Sequence, residues 1–153
     1  MVFGGNGNDV ILGGPDNDTL HGDAGDDWIL GGDDQDTLYG DNGADQLLGE
    51  AGDDVIEGGA GDDIIKGGDG DDTIDGYTGT NTLWGGAGAD RFEGYLDANP
   101  DVIKDYSFAA GDTVAGTSYE VIGNHTYVYH AGQTLFVLAD YDAYSDGIAL
   151  TGY

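Results

Sequence analysis

The 153-residue chain has no cysteine, so neither a disulfide framework nor a thiolate metal site is available to it. Basic side chains are almost as scarce: Lys66, Arg91 and Lys104 stand against 31 acidic residues, for a net charge of −28. Three cationic groups cannot neutralise a row of phosphates, which excludes nucleic acid and disfavours anionic membranes and acidic polysaccharides. No apolar run approaches the roughly 18 residues of a membrane span. Met1-Val2-Phe3 leads almost at once into repetitive sequence with no signal peptide ahead of it, and reads as the cut end of a longer protein. Nor is there a nucleophile, base and orienting group of the kind catalysis requires, so the chain is expected not to be an enzyme. A chain that repels itself this strongly points to a cation as its partner.

High charge with 31 glycines would suit a disordered, solvating segment, but hydrophobic residues still make up 39% of the chain and recur at fixed positions. From Gly4 the sequence divides at a period of nine into ten units without insertion, ending at Glu93: GGNGNDVIL, GGPDNDTLH, GDAGDDWIL, GGDDQDTLY, GDNGADQLL, GEAGDDVIE, GGAGDDIIK, GGDGDDTID, GYTGTNTLW and GGAGADRFE. Column one is Gly in all ten and column four is Gly in eight. Column six is Asp in nine with Asn81 in the other, and column eight is Ile, Leu or Phe throughout.

Glycine at columns one, two and four permits the positive φ and close backbone approach of a tight turn, so columns one to six are expected to be the turn. Columns seven to nine carry β-formers that alternate, with column eight inward and its neighbours outward. Odd and even units would then supply two opposed parallel sheets. Ile11, Ile29, Leu47, Ile65 and Leu83 face Leu20, Leu38, Ile56, Ile74 and Phe92 across a thin core. One buried side chain in nine is too little to offset the entropy of ordering the array, and the column-six carboxylates of stacked turns would repel. A hard divalent cation relieves both. Calcium takes oxygen from carboxylates and turn carbonyls, whereas magnesium demands stricter geometry and zinc would want the histidines, which lie outside the turns at His21, His125 and His130.

The consensus G-G-x-G-x-D-x-U-x resembles the calcium-binding nonapeptide of the RTX (repeats-in-toxin) family. That resemblance implies an all-β, right-handed parallel β-roll, a β-helix solenoid, over residues 4–93. It implies ions between stacked turns, held by the column-six side chains Asp9, Asp18, Asp27, Asp36, Asp45, Asp54, Asp63, Asp72 and Asp90. Loop carbonyls at columns two and four would complete the sites: Gly5, Gly7, Gly14, Asp23, Gly25, Gly32, Asp41, Gly43, Glu50, Gly52, Gly59, Gly61, Gly68 and Gly70. Ten turns stacked two apart leave eight gaps, hence up to about eight Ca2+. Unit nine, with Asn81 and the bulky Tyr77, is expected to be among the weakest sites, and Asp16 and Asp34 at column four to ligate or to distort their turns. The second acids Asp26, Asp53, Asp62 and Asp71 at column five are expected to point into solvent.

The outward columns differ by parity. Odd units show Val10, Leu12, Trp28, Leu30, Leu48, Ile64 and Trp84, an apolar strip expected to be covered by residues 94–153 or to meet a partner domain or a second copy. Even units show mainly Thr, His, Tyr and acids. Residues 94–153 are expected to form a C-terminal β-rich cap, with strands at Ser118–Ile122, Thr126–His130, Thr134–Leu138 and Ile148–Leu150. The opening of this segment, Asp101-Val-Ile-Lys-Asp-Tyr…Gly111-Asp-Thr-Val114, is similar to the segment located after the repeats in RTX proteins. The family likeness implies a module that folds on calcium outside a bacterial cell, secreted or at the cell surface, and supports type I secretion of a larger exported protein. A calcium-stabilised adhesin or carbohydrate-binding module is the alternative.

Overall fold

The computed structural model describes residues 1–94, 101–107, 110–115, 118–122, 125–130 and 133–138, the last three stretches as backbone strands. Among the described residues there is no helix long and apolar enough to cross a membrane. Each repeat contributes one strand: β2 (Val10–Gly14), β3 (Thr19–Ala24), β4 (Trp28–Asp33), β5 (Thr37–Asn42), β6 (Gln46–Ala51), β7 (Val55–Ala60), β8 (Ile64–Asp69), β9 (Thr73–Thr78), β10 (Thr82–Ala87) and β11 (Arg91–Glu93). Ahead of them Val2–Asn6 forms β1, so Met1-Val2-Phe3 stands as columns seven to nine of one further rung.

Among the repeat strands, neighbours in each sheet are parallel and two repeats apart. One sheet runs β1-β3-β5-β7-β9-β11, and β2, β4, β6, β8 and β10 lie side by side in the other. Ile11, Ile29, Leu47, Ile65 and Leu83 stack in register on one side. Leu20, Leu38, Ile56, Ile74 and Phe92 stack on the other. All ten are buried and form one continuous core. The solenoid is therefore the product of period nine and a single apolar column.

The strands exceed the expected three columns. They run on through columns one to three of the next repeat, and pairs such as Gly14↔Gly32 and Gly32↔Glu50 keep register there. A parallel ladder uses only backbone donors and acceptors, so glycine does not interrupt it. Columns six, eight and one consequently all face inward, as Asp, aliphatic and Gly. A methyl group on Gly67 would collide with Asp72 Oδ2 and with the carbonyl of Gly85, which is why column one tolerates only glycine.

Beyond the repeats, β12 (Asp101–Ile103) pairs with β10, and β13 (Thr113–Val114) pairs with β11, so both sheets gain a further strand. Ile103 enters the core, and Tyr106 and Val114 pack against it. β16 (Gln133–Leu138) adds to β12 in parallel, and antiparallel β15 (His125–His130) and β14 (Ser118–Ile122) come next in the sheet. These three match the expected strands to within a residue; the expected strand Ile148–Leu150 lies outside the described residues.

On the odd face Val10 and Leu12 are each 64% exposed, Trp28 46% and Ile64 41%. Leu30, Leu48 and Trp84 are half-buried. The strands β16, β15 and β14 continue the edge of this sheet, so the described part of 94–153 does not provide the expected cover. The Lys66 ammonium lies 5.3 Å from the centre of the Trp84 ring. On the even face Phe3, His21 and Tyr39 stack in a column at 4.8 and 4.5 Å.

Candidate metal centre

The two edges of the solenoid carry the turns, and each holds one row of column-six side chains. Every such residue donates its backbone N–H to Oδ1 of the residue one rung further on. Along the odd edge the bonds run Asp9 to Asp27 (2.7 Å), Asp27 to Asp45 (2.7 Å), Asp45 to Asp63 (2.9 Å) and Asp63 to Asn81 (2.8 Å). Along the even edge they run Asp18 to Asp36 (2.8 Å), Asp36 to Asp54 (2.8 Å), Asp54 to Asp72 (2.9 Å) and Asp72 to Asp90 (3.1 Å). From Asp27 to Asp90 these side chains are at most 2% exposed.

One carboxylate oxygen is thus satisfied, and the other is not. Oδ2 of Asp9, Asp27, Asp36, Asp45, Asp54, Asp63, Asp72 and Asp90 is buried without a hydrogen-bond partner among the described residues. Eight orphaned carboxylate oxygens in regular rows are far outside what a folded protein tolerates unless a proton or a counter-ion satisfies them. The strain is visible in their acidities. Burial, offset by the N–H bond and then reinforced by the neighbouring carboxylate, pushes Asp63 and Asp72 up to about 7. The same causes push Asp45, Asp54 and Asp90 up to about 6. Asp27 and Asp36 are raised by burial as well.

Among the described residues no three acidic or histidine side chains converge on one point, so side chains alone do not enclose an ion. An ion held there would also need carbonyls, for which two sets are candidates. Those of Gly14, Gly25, Gly43 and Glu50 at columns two and four lie against Gly32, Gly43, Gly61 and Gly68 of the next rung, while Asp23 O and Gly59 O at column two accept from Asn42 Nδ2 (3.4 Å) and Thr78 Oγ1 (3.3 Å). The column-three and column-six carbonyls are otherwise engaged: Asn42 O accepts from Gly25 N and Asp9 O from Trp28 N, both at 2.9 Å. The second set was not expected. Beside Gly49, Asp54 Oδ2 and the Gly67 carbonyl flank the same space, and the arrangement recurs beside Gly31 with Asp36 Oδ2 and the Gly49 carbonyl. Column-one carbonyls of the next rung therefore join the candidate oxygens. The donor set is all oxygen and fits a hard cation such as calcium.

The second acid of each pair proves to have a defined task. Asp26 Oδ1 accepts from Ala44 N (3.0 Å), Asp53 Oδ1 from Asp71 N (2.9 Å), Asp62 Oδ1 from Thr80 N (2.9 Å) and Asp71 Oδ1 from Ala89 N (2.8 Å). These side chains are exposed, as expected, but not idle; Asp53 Oδ2 accepts from Gln35 Nε2 (3.2 Å) as well. Their Oδ1 bonds run opposite in sense to those of column six, so each turn is tied to the rungs on both sides. Asp16 and Asp34 adopt φ of 78° and 73°, in the left-handed region otherwise held by glycine, and their turns keep the register of the stack. Asp23, Asp41, Glu50 and Tyr77 do the same at column two, with φ from 68° to 79°.

Two further residues belong to the rows although the period misses them. Asn81 N–H donates to Asp101 Oδ1 (2.9 Å), and Asp90 N–H to Asp112 Oδ1 (3.2 Å). Asp112 Oδ2 also accepts from Ser107 N (2.7 Å), so at that end the second oxygen is occupied by protein. Asp105 accepts from Gly85 N and Gly86 N at 2.9 and 3.1 Å. The segment after the repeats thus closes both rows with carboxylates.

A family described as the RTX calcium-binding nonapeptide repeat (4 copies) matches residues 3–38, 39–74 and 66–99. Among solved structures, the AlgE6R3 subunit of the mannuronan C5-epimerase of Azotobacter vinelandii is similar at 24% identity. That match covers 88% of this chain and 78% of the subunit, with a TM-score of 0.43. The extracellular lipase LipA of Serratia marcescens is similar at 17% identity over 94% of this chain and 38% of the lipase, with a TM-score of 0.25. No curated protein matches the sequence.

Proposed function

Because this chain belongs to the RTX calcium-binding nonapeptide-repeat family, we propose that it is a calcium-driven folding module of a larger exported protein. In this reading the orphaned Oδ2 atoms of column six are the side-chain ligands, and carbonyls of columns one, two and four complete each site. The single observation that carries it is the set of eight buried carboxylate oxygens with no hydrogen-bond partner among the described residues. Bound calcium supplies the positive charge those oxygens lack. The chain's own residues do the rest. Column-six N–H groups hold each carboxylate in place through Oδ1, glycines at column one leave room for Oδ2, and column eight closes the core once the turns are neutralised.

Where free calcium is scarce, as inside a bacterial cell, the rows would repel and the array would stay open. Outside, binding and folding become one event. This favours export of an unfolded chain and folding on arrival, at the cell surface or beyond it, which is the role we assign to the module in type I secretion. Circular dichroism with added calcium should show a β spectrum that a chelator abolishes; a native spectrum persisting in chelator at neutral pH would end the proposal. For the carbohydrate-binding alternative, one face of Trp84 is already taken by Lys66, which leaves Trp28 as the exposed indole of the odd face.

A further inference from the structure

Asn81 is the one departure from Asp in the repeat rows, and it is fully buried. Its Oδ1 accepts the Asp63 N–H at 2.8 Å, the same bond that Oδ1 of an aspartate accepts at the other rungs. That bond decides which way the amide faces. The remaining atom, Nδ2, is buried and unpartnered, and lies beside Gly76 as each Oδ2 lies beside the column-one glycine of its own repeat. An amide nitrogen carries two N–H donors and no lone pair to offer a cation. Turning the amide over would set Nδ2 against the Asp63 N–H, donor against donor, so a cation could claim the amide oxygen only by displacing that bond.

We infer that Asn81 closes the calcium position of the ninth repeat on the odd edge. Within the repeats the odd row then offers the carboxylates of Asp9, Asp27, Asp45 and Asp63 and reaches an amide before Asp101, whereas the even row continues through Asp18, Asp36, Asp54 and Asp72 to Asp90. The two edges of the roll load unequally. At the closed rung the Asn81 N–H still donates to Asp101 Oδ1, so on that edge a hydrogen bond still joins the repeats to the succeeding segment. This inference rests on the reading of Oδ2 as the calcium ligand proposed above.

Equilibrium dialysis against radioactive calcium at saturation counts the ions bound by the wild-type chain, by Asn81→Asp and by Asp72→Asn, with circular dichroism reporting whether each is folded. Asn81→Asp is expected to bind at least one ion more than wild type. Asp72→Asn places the same amide on the even edge and is expected to bind at least one fewer. An Asn81→Asp chain that folds with the wild-type number of ions overturns the inference. Should Asn81→Asp fail to fold, an Asp72→Asn chain that keeps the wild-type number overturns it equally, since an amide in this column would then close nothing. A wild-type chain that binds no calcium would defeat the proposed function itself, an outcome separate from these.

Discussion

Replacing Asp54 by Asn changes a single buried atom of consequence. Asp54 Oδ1 accepts the Asp36 N–H at 2.8 Å, and an amide oxygen keeps that bond, so the difference is Oδ2 against Nδ2. Removing one charged partner from a buried ion pair costs about 3 to 5 kcal/mol. Urea unfolding in saturating calcium should register that loss in full. The calcium midpoint should move far less, because the cost is shared among the ions bound on folding. With on the order of eight ions, each contributing about 1.4 kcal/mol per tenfold change in free calcium, the midpoint rises only about two- to threefold. Asp54→Ala also strips the acceptor from the buried Asp36 N–H and should lose about 1 to 3 kcal/mol more. The neighbouring Asp53 is the control: it is exposed, its Oδ1 bond to Asp71 N–H survives as an amide, and Asp53→Asn should stay within about 0.5 kcal/mol of wild type. Equal effects of Asp53→Asn and Asp54→Asn would refute the division of labour between columns five and six.

Without calcium the rows should respond to acid. Asp45, Asp54, Asp63, Asp72 and Asp90 are raised in the folded state from 3.8 to about 6 or 7, so their protonation favours folding: the gain is complete below the ordinary carboxylate range and disappears as pH rises through 6 and 7. Circular dichroism in chelator should therefore show β structure growing from pH 8 toward pH 4, and a featureless response would contradict the burial of these groups. Asp112→Ala removes the acceptor of both Asp90 N–H and Ser107 N–H, and unfolding in calcium should show a loss of about 1 to 3 kcal/mol for each orphaned donor. A neutral result would mean that the segment after the repeats does not close the even row.

What the residue pattern disclosed was whatever recurs in side chains. The ten column-eight residues from Ile11 to Phe92 were legible as a core because their period is strict, and the pairing of repeats two apart is a consequence of alternation between two sheets. Features carried by the backbone were not legible. Strands continue through Gly31-Gly32-Asp33 because parallel ladder bonds need no side chain, and column-one carbonyls approach Oδ2 because glycine leaves the space open. The task of Asp62 and Asp71 was hidden for a related reason, since an exposed acid that accepts a backbone N–H from the next rung looks in sequence like any solvated acid. Asp101 and Asp112 escaped because the chain between rungs lengthens there, from 18 residues to 20 and 22, which breaks the period while preserving the row. A triplet of Asp, any residue and an aliphatic, present in Asp101-Val-Ile103 and Asp112-Thr-Val114, was the surviving signal. The odd face shows the opposite outcome: its apolar strip was plain in the sequence, but Val10, Leu12 and Trp28 remain exposed among the described residues.

The most direct test of the account is to locate calcium in crystals of the loaded protein by its anomalous scattering. Peaks are expected along both edges at about 2.3 to 2.6 Å from the Oδ2 atoms of column six. Peaks clustered on the column-five carboxylates, or no ordered peaks along the edges, would contradict it.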